Sequence, residues 1–167
     1  EETLLKYSKH GSFGVNIIRL SNVFGMPCNK KINPWRLVVN DFCYQAFKTK
    51  KIKIKAASNQ IRNFVPISEI NNLITFIIEK HFGGEVLPTI FNFGGQWNLN
   101  LSQLAQIIAD VYYEFKGEKI NILFSDKFYN HSNVLNYNYD LIMQMGYTPS
   151  SNYTDEIKKI FNNLSSR

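Results

Sequence analysis

Apolar positions along the chain recur with two rhythms, one of strand period and one of helix period. Val15, Ile17, Ile18 and Leu20 form an apolar run of strand length between Gly14 and Gly25, which predicts a buried strand of a parallel sheet. Arg19, Ser21 and Asn22 stand at its end with no turn signal between. In open α/β sheets ligands sit beyond the carboxyl ends of the strands, so these polar residues carry a ligand hypothesis. The structural alternative is that Asn22 caps the strand exit and Arg19 makes an ion pair. Asn33 and Pro34 then read as a helix start. Trp35, Val38, Val39, Phe42, Cys43, Ala46 and Phe47 follow at helical spacing, predicting an amphipathic helix over 34–48.

Strand period returns in KKIKIKA, with Ile52 and Ile54 inward and Lys51, Lys53 and Lys55 outward. Residues 58–60 predict a turn and Ile61–Ile67 a second extended piece, whose pairing Pro66 limits. Ser68 reads as the cap of a helix carrying Ile70, Leu73, Ile74, Ile77 and Ile78, which ends near Lys80 before Gly83 and Gly84. Thr89–Phe93 predicts a strand closed by Gly94 and Gly95. Asn100 with Gln103 predicts a capping box opening a helix to Gly117. Beyond it the pattern predicts a strand over Lys119–Phe124, a polar Asn-rich stretch over 125–138, a short helix over Tyr139–Met145, and a last helix from Thr154. Residues 1–10 read as the tail of a helix with Gly11 as its C-cap, and the expectation is a chain cut inside a helix. The mixed order of elements indicates α/β architecture with a small additional subdomain.

Composition narrows the partners rather than the fold. The chain has 167 residues, enough for one core, and is 44% hydrophobic and 19% charged, which is globular. Its net charge of +6, from 19 Lys and Arg against 13 Asp and Glu, favours anionic partners without choosing among them. Cys28 and Cys43 lack CxxC or metal spacing, so a reduced cytoplasmic protein is expected, with no metal. No apolar run reaches the roughly 18 residues of a membrane span. The Lys51–Lys55 cluster reads as a solvated strand face, not a nucleic-acid surface, because no aromatic interleaving accompanies it.

The chemistry of a complete active centre is not found. Neither GxGxxG nor GxxxxGKS occurs, the histidines His10, His81 and His131 are dispersed, and no GxSxG elbow is present. Tyr44–Lys48 and Tyr112–Lys116 match Tyr-x-x-x-Lys, a spacing that places phenol and ammonium on one helix face. Both lie at helix C-termini, where lysine is expected from the dipole, and both are read as decoys.

Several segments together resemble one family. RLSNVFG, Arg19–Gly25, resembles the R-x-x-N-V-Y-G-P segment of the extended short-chain dehydrogenases/reductases, the NAD(P)-dependent nucleotide-sugar epimerases and dehydratases. Phe24 stands for its Tyr, and Met26 precedes Pro27. RNFVPISEI from Arg62 resembles R-D-F-V-H-V-x-D, with Asn63, Pro66 and Ser68 as departures. FNFGG, Phe91–Gly95, is similar to the family's V-Y-N-V-G-S-G strand end, and the helix NLSQLAQII follows it. LNYNYDLIMQMGYTP, Leu135–Pro149, resembles the tail motif. The segments occur in family order and span nearly the whole chain.

The resemblance implies the C-terminal part of a Rossmann-like doubly wound parallel sheet plus a small α/β substrate-binding subdomain. It implies sheet-layer remnants at 1–25 and 85–117 and a mainly substrate-binding subdomain at 26–84 and 118–167. The Gly-rich loop and the catalytic Tyr-x-x-x-Lys would precede residue 1, with Glu1 or Glu2 near that pair, leaving no catalytic residue here. Asn22 and Arg62 would bind the nucleotide sugar, and the backbone at Leu20 and Ser21 would approach the nicotinamide of NAD or NADP. A guanidinium fork suits a diphosphate. The expected partners are a nucleotide-sugar substrate and a second copy as a homodimer, with no nucleic acid or membrane; the expected setting is polysaccharide biosynthesis in the cytoplasm. Two other readings compete: a catalytically silent member of the fold that senses a dinucleotide or binds a partner, and a basic nucleic-acid-binding domain.

Overall fold

A computed structural model describes residues 1–11, 13–29, 31–54, 60–124, 135 and 137–166. The predicted strand after Gly14 is two strands that part at Ser21. β1 (Ile17–Leu20) pairs in parallel with β5 (Ile90–Phe93), Ile17 opposite Ile90. β2 (Asn22–Phe24) pairs in parallel with β4 (Arg62–Pro66), Asn22 opposite Phe64. β4 also pairs antiparallel with β6 (Trp97–Leu99), a strand the sequence pattern did not announce. β3 (Lys51–Ile54) and β7 (Asn121–Phe124) form a separate parallel pair. β1 is not the buried strand expected: Arg19 and Leu20 are exposed, and β5 is its one paired neighbour among the described residues.

The helices follow their apolar stripes with shifted starts. α1 (Glu2–His10) buries nothing, and Gly11 beyond it is extended rather than left-handed. The expected helix 34–48 is broken: Asn33 caps a 3-10 turn, Pro34–Arg36, by accepting from Trp35 N at 3.0 Å, and α2 (Val38–Thr49) starts anew after Leu37. α3 (Ile67–Phe82) begins directly after Pro66, so Ser68 lies in its first turn instead of capping it. α4 (Leu101–Lys116) has the full capping box, Gln103 N to Asn100 Oδ1 at 2.8 Å and Asn100 N to Gln103 Oε1 at 3.0 Å. Gly117 ends it at φ 71 with its N–H on the Tyr113 carbonyl, 2.7 Å, a left-handed cap that glycine adopts without a Cβ penalty. α5 (Asp140–Gln144) and α6 (Tyr153–Ser165) complete the chain. The expected turn at 58–60 and the polar stretch 125–138 fall largely outside the described residues.

Two apolar cores form, with β4 between them. Side chains alternate across a strand, so Phe64 joins one core and Val65 the other. The larger core gathers α2, β3, α4 and α6 around Phe42, Ile52, Leu104, Tyr112 and Phe161. The smaller gathers α3, β5 and α5 around Leu73, Phe93 and Ile142. α3 packs with the β1–β5 pair, and α4 with α2 and α6. Ile52 and Ile54 are buried and Lys51 and Lys53 exposed, as the alternation predicts.

Candidate functional site

The parting of β1 and β2 makes the site. Ser21 N donates to the Phe93 carbonyl at 3.0 Å and closes the β1–β5 ladder; one residue later the chain is paired with β4. Register then brings distant residues together. Asn22 stands opposite Phe64, and Arg62 is two residues back on β4, hence on the same face. A cavity of about 440 Å³ lies over that face, lined by Ser21, Asn22, Val23, Arg62 and Phe64 and closed by Arg36–Val39 at the start of α2. The structure therefore unites Ser21, Asn22 and Arg62. It leaves Leu20, 42% exposed, outside the cavity.

The cavity is electropositive by construction. Arg62 is half-buried and donates from Nη2 to Gln60 Oε1 at 3.0 Å; neither it nor Arg36 has a carboxylate partner among the described residues. Val38 and Val39 open α2, whose first amides have no partner within the helix, and Leu37 supplies no side-chain cap. That helix end adds partial positive charge. Asn22 Nδ2 donates to the Asn63 carbonyl at 2.9 Å, which leaves one amide hydrogen for a ligand. The Ser21 hydroxyl is buried and has no hydrogen-bond partner among the described residues. The geometry suits an anion of phosphate chemistry.

Arg19 takes the structural alternative instead: its Nε and Nη2 donate to the Glu1 carboxylate at 3.0 and 2.6 Å, which holds that carboxyl below its ordinary range. The supporting frame was not read from the sequence. Asn40, fully buried, donates to Gly25 O at 2.8 Å and accepts from Gly25 N at 3.1 Å, pinning the exit of β2 to α2. Asn63, 1% exposed, donates to Gly95 O at 2.7 Å and Asn98 Oδ1 at 2.8 Å and accepts from Gly95 N at 2.8 Å. Gly95 is indispensable to this turn, since a Cβ there would strike the Phe64 carbonyl and the Tyr153 hydroxyl. Arg36 was also missed; it falls in the first turn of the helix expected over 34–48. A cation two residues after the Asn33–Pro34 start was the available signal.

Both Tyr-x-x-x-Lys matches are structural. Tyr44 packs on Trp35, ring centroids 5.0 Å apart. Tyr112 is buried and its hydroxyl receives the Lys50 ammonium, while Lys116 lies over the Phe47 and Phe115 rings. No group of three or more metal-ligating side chains occurs among the described residues. A larger cavity of about 810 Å³, lined by Phe13, Ile78, His81 and Phe82, lies at the amino ends of β1 and β5, away from the strand ends that carry the candidate residues.

Comparison with known proteins places the fold. No protein-family model and no curated sequence matches the chain. Solved structures do. A UDP-N-acetylglucosamine 4-epimerase from Methanobrevibacter ruminantium M1, in complex with UDP-N-acetylmuramic acid, is 16% identical over 100% of this chain and 51% of its own, with TM-score 0.76. A UDP-glucuronic acid 4-epimerase from Bacillus cereus, in complex with UDP-glucuronic acid and NAD, is 14% identical over 99% of this chain and 49% of its own, with TM-score 0.69. An NAD-dependent NDP-hexosamine 5,6-dehydratase involved in tunicamycin biosynthesis is 16% identical over 99% and 51%, with TM-score 0.67. The chain has the fold of the C-terminal part of these Rossmann-like extended short-chain dehydrogenases/reductases and spans about half their length. Among the described residues no helix is long and apolar enough to cross a membrane.

Proposed function

We propose that the chain supplies the nucleotide-sugar-binding part of an NAD(P)-dependent epimerase or dehydratase. One observation carries the reading: Asn22 and Arg62, set on one face by the β2–β4 register, line a cationic cavity at the carboxyl end of β1. Arg62 presents a fork to the diphosphate, and Asn22 donates its remaining amide hydrogen. The exposed Leu20 and the backbone at Ser21, at the end of β1, would lie against the edge of a nicotinamide ring. NAD or NADP supplies reversible hydride acceptance from a sugar carbon when bound. The catalytic Tyr-x-x-x-Lys belongs, in this reading, to a segment N-terminal to Glu1. A homodimer working in the cytoplasm on precursors of a polysaccharide belongs to the same reading.

The test is calorimetric titration of the full-length protein with UDP and with NAD. A charge-assisted contact is worth roughly 1.5–3 kcal/mol. Arg62→Ala should therefore weaken UDP about 10- to 150-fold and leave NAD nearly unchanged. Arg62→Lys should recover part of the loss, since a point charge does not reproduce the fork. Unchanged UDP affinity in a folded Arg62→Ala variant would sink the assignment.

A further inference from the structure

We propose that the end of the larger core where α2 runs into β3 and α4 runs into β7 is a docking surface for an anionic bilayer. The inference is independent of the nucleotide-sugar reading. β3 and β7 pair in parallel with Lys51 opposite Asn121, and Asn121 N donates to the Lys50 carbonyl at 3.0 Å. The two junctions are therefore neighbours. The first carries Lys48, Lys50 and Lys51, and the second Lys116 and Lys119. The carboxylates beside them are taken: Glu118 by Lys50 at 2.7 Å, and Glu114 by Lys158 at 3.1 Å. Lys48, Lys51, Lys116 and Lys119 are exposed and have no carboxylate partner among the described residues. The Lys48 and Lys116 ammoniums even lie over one ring, each 5.7 Å from the Phe47 centroid. Helix dipoles account for Lys48 and Lys116, in the last turns of α2 and α4. They do not account for Lys51 and Lys119, which lie outside the helices.

The chemistry of the patch favours a bilayer over other anionic partners. Its cations are all lysines, point charges without the fork that reads a single phosphate. Protein interfaces are enriched in arginine and depleted of lysine. Single-stranded nucleic acid needs a series of free rings for stacking, and Phe47 and Phe115 are half-buried beneath ammoniums. Tyr113, 51% exposed, shares a helix face with Lys116 three residues on, and a tyrosine beside lysines suits a headgroup layer. The sequence reading expected no membrane partner and found no apolar run of spanning length; peripheral docking needs none.

The experiment is co-sedimentation of the full-length protein with vesicles of phosphatidylcholine alone and of phosphatidylcholine mixed two to one with phosphatidylglycerol. Sedimentation with the mixed vesicles, little with the neutral ones, and a steep loss as salt is raised are expected. Each lysine close to such a surface is worth about fivefold in partition. Lys51→Gln combined with Lys119→Gln should therefore lower partition about 25-fold. Neither side chain has a partner among the described residues, so this double variant should melt with wild type. Lys6→Gln combined with Lys9→Gln, on α1, removes the same charge elsewhere and should lower partition far less. Equal sedimentation with neutral vesicles, equal losses in the two double variants, or a wild type that leaves the mixed vesicles unbound overturns the inference. A wild type that ignores vesicles but binds a single-stranded oligonucleotide through Lys51 and Lys119 also overturns it, and gives the patch to nucleic acid.

Discussion

Asn63 holds the frame of the site, and replacing it should cost a large share of the stability. In Asn63→Ala the buried Gly95 N–H and C=O each lose their side-chain partner; the exposed Asn98 can turn to water. Two buried backbone groups left unpaired cost about 1–3 kcal/mol each, so the expected loss is about 2–6 kcal/mol. That is a large part of the roughly 5–15 kcal/mol of a typical domain. Asn63→Asp is the sharper variant, because the resembled segment carries Asp there. The aspartate keeps the acceptor for Gly95 N but loses both donors, and it sets a carboxylate against Gly95 O and Asn98 Oδ1. Its folded-state pKa should rise above the unfolded value, so the variant should be weakest at neutral pH and regain stability as pH falls through the carboxylate range. Urea titration at pH 7 and pH 4 reads both effects, with an unchanged slope expected. A loss under about 1 kcal/mol in Asn63→Ala, or an Asp variant indifferent to pH, would refute the claim that this amide clamps the Gly94–Gly95 turn.

Gly95→Ala should destabilise by about 3 kcal/mol or more, because the Phe64 carbonyl it would strike is strand backbone that cannot rotate away; a thermal melt within a few degrees of wild type contradicts this. Burial pushes the Tyr153 phenol up to about 12. Its contribution is full below about pH 10, the unfolded value, and is lost as pH rises through the folded one, on the order of 2 kcal/mol. Tyr153→Phe should flatten that alkaline limb, and an unaltered slope between about pH 10 and 12 counts against it. Asn100→Ala should cost about 1 kcal/mol through loss of the capping box, read by urea midpoint.

Local chemistry was legible where a few neighbouring residues decide the outcome. The capping box at Asn100, the left-handed Gly117, the Ile52–Ile54 alternation and the apolar face of α6 are set by short-range spacing. The strand after Gly14 was legible as parallel, but its division at Ser21 depends on which partner strand each half meets. β6 was hidden because Trp97–Leu99 is short and takes its pairing from β4. The buried polar staples were hidden for the same reason. Glu69, fully buried, accepts from Tyr147 Oη and from Ser151 N at 2.7 Å, and in sequence it is one acid in the first turn of a helix. Asn22 was flagged by its place at the end of a strand and again by resemblance, Arg62 by resemblance alone, whereas Arg36 required the cavity.

In the proposed function a nucleotide sugar places its diphosphate between β2, β4 and the start of α2. A crystal structure of the full-length protein with a bound UDP-sugar tests this most directly. Diphosphate oxygens are expected within hydrogen-bonding distance of the Arg62 guanidinium and the Asn22 amide, with Arg62 drawn off Gln60. An ordered diphosphate elsewhere, for instance in the larger cavity beside His81 and Phe82, with Arg62 still on Gln60, would contradict it.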